Sequence, residues 1–310
     1  MMRIGFIGKG GTGKTSISSA FAKYIARNNK VLFIDADVNA HAHECFQMSP
    51  SKPFGDHSLE VSKYFHGARE DILSSQMIGS TLPNKYSNLI KNLDSDKFLK
   101  SMTNNKDNIS LLTIGTYTEE DSGVNCYHTK LEPLEILLHH TFDKEDEYII
   151  MDATAGVDIL GTSLYMAFDV LFFIIEPTKK SISVYKNFIN QTDVKVIPIL
   201  NKVTNDKDVE FVKNQNIDPL VCINFSETLR SFEQGNNQEF EKFIKNNSQS
   251  FDKLKNSLTQ KQDKSDYFKT LSSIYKKSCE SWYNSYFGTN IYEKTNKNLD
   301  FINNVGDNNA

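Results

Sequence analysis

The sequence predicts an α/β fold of three layers, a mostly parallel sheet with helices on both faces. Three observations predict it. Short apolar runs recur along the chain and are apolar on both faces rather than alternating, as strands covered on both sides are. Helical patterns such as "GKTSISSAFAKYIARNN" and "LEPLEILLHHTF" lie between these runs, which suits parallel strands joined by helical crossovers. The first run leads straight into a glycine-rich loop that opens a helix.

The candidate strands are, in order, "RIGFIG", "KVLFID", "NISLLTIG", "EYIIMD", "VLFFIIEP" and "VKVIPIL", with "PLVCIN" as a further strand. Each is short, and β-branched or aromatic residues dominate. In such sheets ligands bind beyond the carboxyl ends of the strands. "GKGG", "DADVN", "DATAG" and "EPTKKS" each follow a strand end, so they are expected to converge on one site. Residues 48–108 are polar and weakly periodic and read as a helical insertion. Residues 226–290 read as a charged, helical C-terminal region, and 291–310 as a loosely ordered tail. The expected organisation is a single domain over 1–290.

Composition narrows the function. The formal net charge of −4 and an isoelectric point near 6.0 supply no strong basic field, which argues against nucleic acid or an anionic membrane as partner. The four cysteines, Cys45, Cys126, Cys222 and Cys279, form no C-x-x-C pair, which fits a reducing cytoplasm better than a disulfide framework. No apolar run approaches the length of a membrane span. The expectation is a soluble, cytoplasmic protein.

The glycine-rich loop is "GKGGTGKTS". From Gly8 to Thr15 it fits G-x-x-x-x-G-K-[ST] between a strand and a helix, the context that a phosphate-binding loop requires. Gly10, Gly11 and Gly13, with Thr12 among them, let the backbone wrap close to a phosphate chain. Their amides point at the anion from the helix N-terminus. Lys14 neutralises the β and γ oxygens, Thr15 is a magnesium ligand, and Ser16 holds the α-phosphate through its amide or hydroxyl.

Lys9 lies at the start of the loop and cannot easily fold back beside Lys14; it could cross to a second subunit's nucleotide. "KGGTGKT" resembles the deviant phosphate loop (deviant Walker A) of the SIMIBI-class family that contains the ParA and MinD ATPases, the nitrogenase iron protein and the arsenite and tail-anchored-protein ATPases. In that family nucleotide is sandwiched between two subunits and the signature lysine acts in trans. The resemblance implies a homodimer across ATP, with Lys9 reading the partner's phosphates.

Other motifs match that family in order. In "DADVNAHAHE", Asp37 falls at the switch I carboxylate that positions the attacking water and stands near magnesium; Asp35 is placed to assist through the ion's water shell. An N-cap role for Asp37 ahead of "AHAHECF" is the structural alternative. "MDATAG" matches Walker B and switch II, with Asp152 near magnesium and Gly156 offering an amide to the γ-phosphate. "ILNKV" supplies Asn201 for adenine, and Glu176 and Pro177 form the other base-side loop. Thr204 stands where a guanine-reading N-K-x-D motif needs Asp, which favours ATP over GTP.

Over residues 2–225 the chain is similar to the small ATPase that helps insert nickel into carbon monoxide dehydrogenase. That ATPase holds metal with a Cys-x-Cys pair; "NCYH" here carries Cys126 and His128. A shared nickel or zinc site across a dimer would then be Cys₂His₂. The structural alternative is a small buried hydrophobe at Cys126 and a helix-start or contact residue at His128. The implied role is slow ATP hydrolysis with magnesium, in a switch that serves a client protein as a maturation or metal-delivery factor. Its rivals are a positioning or partition-type ATPase and an ATP-binding module gating a protein partner.

Three lesser features complete the reading. His41, His43 and Cys45 in "HAHEC" sit two apart, which does not bring side chains together on a helix; they are expected to be solvated or partner-facing. His139 and His140 are expected to flank a helix end. Phe268, Leu271, Tyr275, Cys279, Trp282 and Tyr286 are expected to form one packed helical stripe.

Overall fold

The computed structural model describes residues 1–116, 127–142, 146–154, 158–259, 261, 263–295 and 297. Eight strands form one sheet: β1 (Met2–Gly8), β2 (Lys30–Asp35), β3 (Asn104–Lys106), β4 (Ile109–Thr113), β5 (Glu147–Asp152), β6 (Val170–Ile175), β7 (Val196–Val203) and β8 (Val221–Asn224). Their order is β3-β4-β2-β5-β1-β6-β7-β8. Every pairing is parallel except β3 with β4.

The strands are apolar on both faces because both are covered. In β6, Val170, Phe172 and Ile174 enter one core while Leu171, Phe173 and Ile175 enter the other. β2 divides likewise, with Val31 and Phe33 on one face and Leu32 and Ile34 on the other. This is the period-2 geometry of a strand applied to a two-sided core.

The α-helices among the described residues are α1 (Lys14–Ala26), α2 (Ala42–Phe46), α3 (Ser58–His66), α4 (Lys97–Met102), α5 (Tyr127–His139), α6 (Lys179–Ile189), α7 (Asp206–Lys213), α8 (Glu227–Glu233), α9 (Glu239–Asn246), α10 (Ser248–Asn256), α11 (Lys264–Ser278) and the short α12 (Asn284–Tyr286) and α13 (Ile291–Lys294). Apolar residues of α1, α2 and α8 to α10 fill one core; those of α3, α5 to α7 and α11 fill the other. The C-terminal region therefore splits between the faces. Phe251 of α10 packs on Phe21 of α1, ring centroids 6.1 Å apart, while Phe268 and Leu271 of α11 join the opposite core.

Three expectations change. The 48–108 insertion is not mainly helical: beyond α3, α4 and two short 3-10 turns it runs as loop and ends in β3. β3 reads "NNK", with no apolar residue to reveal it, and joins β4 through a turn in which Asp107 is left-handed (φ 55°). Buried Arg69 organises the loop by pairing with Asp71 and donating to the Leu82 carbonyl at 2.7 Å. The stripe on α11 also breaks. Phe268, Leu271, Tyr275 and Cys279 are buried, but Trp282 and Tyr286 are 63% and 70% exposed. A π-helical turn over Cys279–Tyr283 adds a residue to the turn, so Tyr283 and Phe287 face inward instead. Finally, 291–295 are packed rather than loose. Ile291 is fully buried, and the Thr295 hydroxyl meets the Tyr275 hydroxyl at 2.8 Å.

Candidate functional site

β1 delivers the chain to the site at Gly8. Its φ is 148°, and a Cβ there would lie 2.5 Å from the Ile174 carbonyl oxygen on β6, so only glycine lets the loop leave the sheet at this angle. The Thr12 hydroxyl then closes the loop onto the Lys9 carbonyl at 2.9 Å. α1 begins at Lys14 with left-handed Gly13 as its cap (φ 90°) and no side-chain cap bond. The first amides of α1 are thus left for an anion.

Lys14 and Asp37 face each other across this loop. Lys14 Nζ lies 3.9 Å from Asp37 Oδ2, with the side chains only 5% and 15% exposed. Asp37 does not cap α2. Its Oδ1 accepts from the Asn39 amide at 3.0 Å, and it is Asp35 Oδ2 that accepts from Ala42 N at 3.0 Å at the start of that helix.

Behind Lys14 sit two buried acids. Asp35 and Asp152 are register partners on β2 and β5. Thr15 Oγ1 donates to Asp152 Oδ2 at 2.5 Å. The other oxygen of each carboxylate, Oδ1, is buried with no hydrogen-bond partner among the described residues. Burial, followed by the neighbouring Asp35, pushes the Asp152 carboxyl up to about 8; burial, with a smaller push from Asp37, drives Asp35 to about 6.

The opposite wall comes from β7 and β8. Asn201 is buried and its Nδ2 donates to the Thr12 carbonyl at 2.7 Å. A Cβ on Gly13 would lie 2.5 Å from that nitrogen, so Asn201 and a bare Gly13 require each other. Lys202 is left-handed (φ 59°) where the β7–β8 register shifts. Its amine donates to the Gly11 carbonyl at 2.6 Å and pairs with Glu176 Oε1 at 2.7 Å.

The result is a cleft of about 680 Å³, lined by Gly10, Gly11, Gly13, Lys14, Thr15, Ser16, Asp37 and Asn201 among the sequence-expected residues. Asp152 touches it through Thr15. Glu176 reaches its rim through Lys202, and Pro177 is not among the lining residues. Lys9 is also outside the lining; its amine has a 3.5 Å contact with the Gly10 carbonyl. Gly156 and Cys126 lie outside the described residues, as does the side chain of His128, which falls in the first turn of α5.

Sequence reading missed the wall supplied after β8. Phe225, 48% exposed, lines the cleft with Arg230 and Glu233, and Glu233 Oε1 accepts from the Ser16 hydroxyl at 3.2 Å. The one available signal was the strand-end position of "NFSETLR". Cys45 also departs from expectation. It sits on the buried face of α2, and burial raises its thiol to about 12. No three His, Cys, Asp or Glu side chains converge as a metal site among the described residues. Among the same residues, no helix is long and apolar enough to cross a membrane.

Comparison with known proteins accounts for this arrangement. The chain is 32% identical to an uncharacterised ATP-binding protein of Methanocaldococcus jannaschii over 219 residues, covering 69% of this chain and 79% of the relative. It is 27% identical to the carbon monoxide dehydrogenase accessory protein CooC of Rhodospirillum rubrum, covering 75% and 87%. The fold resembles that of a ParA family ATPase from Chlorobium tepidum with a TM-score of 0.53 at 16% identity, covering 79% and 90%. A family model describing the CobQ/CobB/MinD/ParA nucleotide binding domain matches residues 6–280, and the chain belongs to that family.

Proposed function

We propose that the protein is an ATP-hydrolysing molecular switch that works as a homodimer and serves a client protein as a maturation or metal-delivery factor. The observation that carries this reading is the convergence of Lys14, Thr15, Asp37 and Asp152 at one end of the sheet. The buried Oδ1 atoms of Asp152 and Asp35, without a hydrogen-bond partner among the described residues, suit a cation. Thr15, Asp152 and Asp37 would hold Mg²⁺, with Asp35 behind them. When bound, the ion withdraws charge from the phosphate oxygens.

The protein's own residues supply the rest. Lys14 and the amides of the loop hold the phosphates, and Ser16 the α-phosphate. Gly156 donates its amide to the γ-phosphate. Asp37 orients the attacking water from its position against Lys14. Asn201, Glu176 and Pro177 frame adenine, and the N-K-x-D aspartate position is held by Thr204. Lys9, outside its own cleft, reads the nucleotide of the second subunit.

The similarity to CooC supports a maturation role for a client enzyme, and on that reading Cys126 and His128 pair across the dimer around nickel or zinc. The net charge of −4 favours a protein client over the DNA or membrane surface that a partition or positioning role requires. Phosphate release from ATP and from GTP, each with magnesium, tests the reading. Release from ATP well above release from GTP is expected, and no release from either would overturn it.

A further inference from the structure

The wall that follows β8 brings a carboxylate into the nucleotide cleft. Glu233 is the last residue of α8 and lines the cleft with Leu229 and Arg230. Its Oε1 accepts from the Ser16 hydroxyl at 3.2 Å. Ser16 is buried in the first turn of α1, two residues after Lys14, so this contact seats Glu233 directly beyond the phosphate loop.

No cation neutralises Glu233 there. Among the described residues it forms no ion pair. Arg230, three residues earlier on the same helix, lines the cleft without pairing with it, and the Lys202 amine is taken up by Glu176 and the Gly11 carbonyl. An unneutralised carboxylate repels a phosphate. It suits neutral hydroxyl donors, from which it accepts charge-assisted hydrogen bonds.

The order of groups along the cleft says which donors those are. Lys14 faces the β and γ oxygens of the proposed nucleotide and Ser16 its α-phosphate, while Asn201 and Phe225 line the cleft on the base side. The group between α-phosphate and base is the ribose, which carries two hydroxyls. The Ser16 hydroxyl has a single proton. Once that proton turns to a phosphate oxygen, Glu233 loses its present donor and a ribose hydroxyl replaces it.

We infer that Glu233 reads the sugar: its carboxylate accepts from the ribose hydroxyls and sets a preference for ribonucleoside over deoxyribonucleoside triphosphates. The inference rests on the nucleotide site proposed above. An acidic side chain on a ribose hydroxyl is a known solution in other nucleotide-binding folds; here the Ser16 contact singles out this one.

Calorimetry on the full chain with ATP, 2′-deoxyATP and 3′-deoxyATP, each with magnesium, tests it in the wild type and in Glu233→Ala. Glu233 is exposed, so the variant should keep the wild-type circular dichroism spectrum. The wild type should bind ATP about tenfold tighter than the weaker of the two deoxynucleotides, and in Glu233→Ala that ratio should collapse to about one. Equal affinity of the wild type for all three nucleotides, or a preference that survives in the variant, would overturn the sugar reading and leave the nucleotide site standing. Equally tighter binding of all three by the variant would make Glu233 a plug on Ser16 and overturn it too. No binding of ATP by the wild type would overturn the nucleotide site itself, and this inference with it.

Discussion

Asp37 is where the chemistry of the proposed switch turns on a single side chain. Its carboxylate stands 3.9 Å from Lys14 and is tied to Asn39, which presents it to the phosphate end of the cleft. Asp37→Asn should keep ATP bound and lower turnover by about 10²-fold or more; phosphate release under saturating ATP measures this, and an unchanged rate would move the role elsewhere. Asp152 gives a pH dependence. Its folded carboxyl titrates at about 8 against an unperturbed 3.8. The metal-free folded protein therefore keeps a proton that the unfolded chain loses, so stability from this group is full below the unperturbed value and fades as pH rises through the folded one. A cation bound there must displace that proton. Magnesium with ADP should thus raise the unfolding midpoint more at pH 8 than at pH 6, and an equal rise at both would contradict the assignment. At this scale much was legible. The loop from Gly8 to Ser16 declares itself by spacing, because glycine and lysine positions are fixed by the phosphate chain. Phe225, Arg230 and Glu233 did not, since nothing local marks a helix face that reaches the cleft only through the order of strands.

The elements were legible wherever an apolar run was buried on both faces. β2 and β5 fall where "KVLFID" and "EYIIMD" stand. β3 was not legible, because an edge strand pairs through its backbone and needs no apolar side chain. Nor was the π-turn over Cys279–Tyr283: a uniform helical period places Trp282 inside, and one added residue turns it out. Two predictions belong here. Phe251 is fully buried against α1, so Phe251→Ala should cost about 3–5 kcal/mol, read by denaturant unfolding; a cost under about 1 kcal/mol would mean that α10 does not brace the phosphate-loop helix. Removing residues 291–310 should lower the unfolding midpoint, since it takes away Ile291 and the Thr295–Tyr275 bond. An unchanged midpoint would restore the reading of this stretch as a loose tail.

At the scale of the whole molecule, the sheet order brings the ends of β1, β2, β5, β7 and β8 to one cleft while Lys9 stays outside it. That separation motivates a dimer. Lys9→Ala should weaken ATP-dependent dimerisation more than it weakens nucleotide binding by one subunit, and light scattering with a slowly hydrolysed ATP analogue measures it. A wild type that stays monomeric with the analogue at high protein concentration would contradict the sandwich. Nucleotide binding comes before any dimer: in the proposed switch the cleft holds a magnesium nucleotide by the phosphate loop, with Lys14 as its inner cation. Calorimetry of MgATP binding to the wild type and to Lys14→Ala tests it most directly. Saturable binding to the wild type and none detectable in the variant are expected; equal affinity in the two would contradict the phosphate-loop assignment.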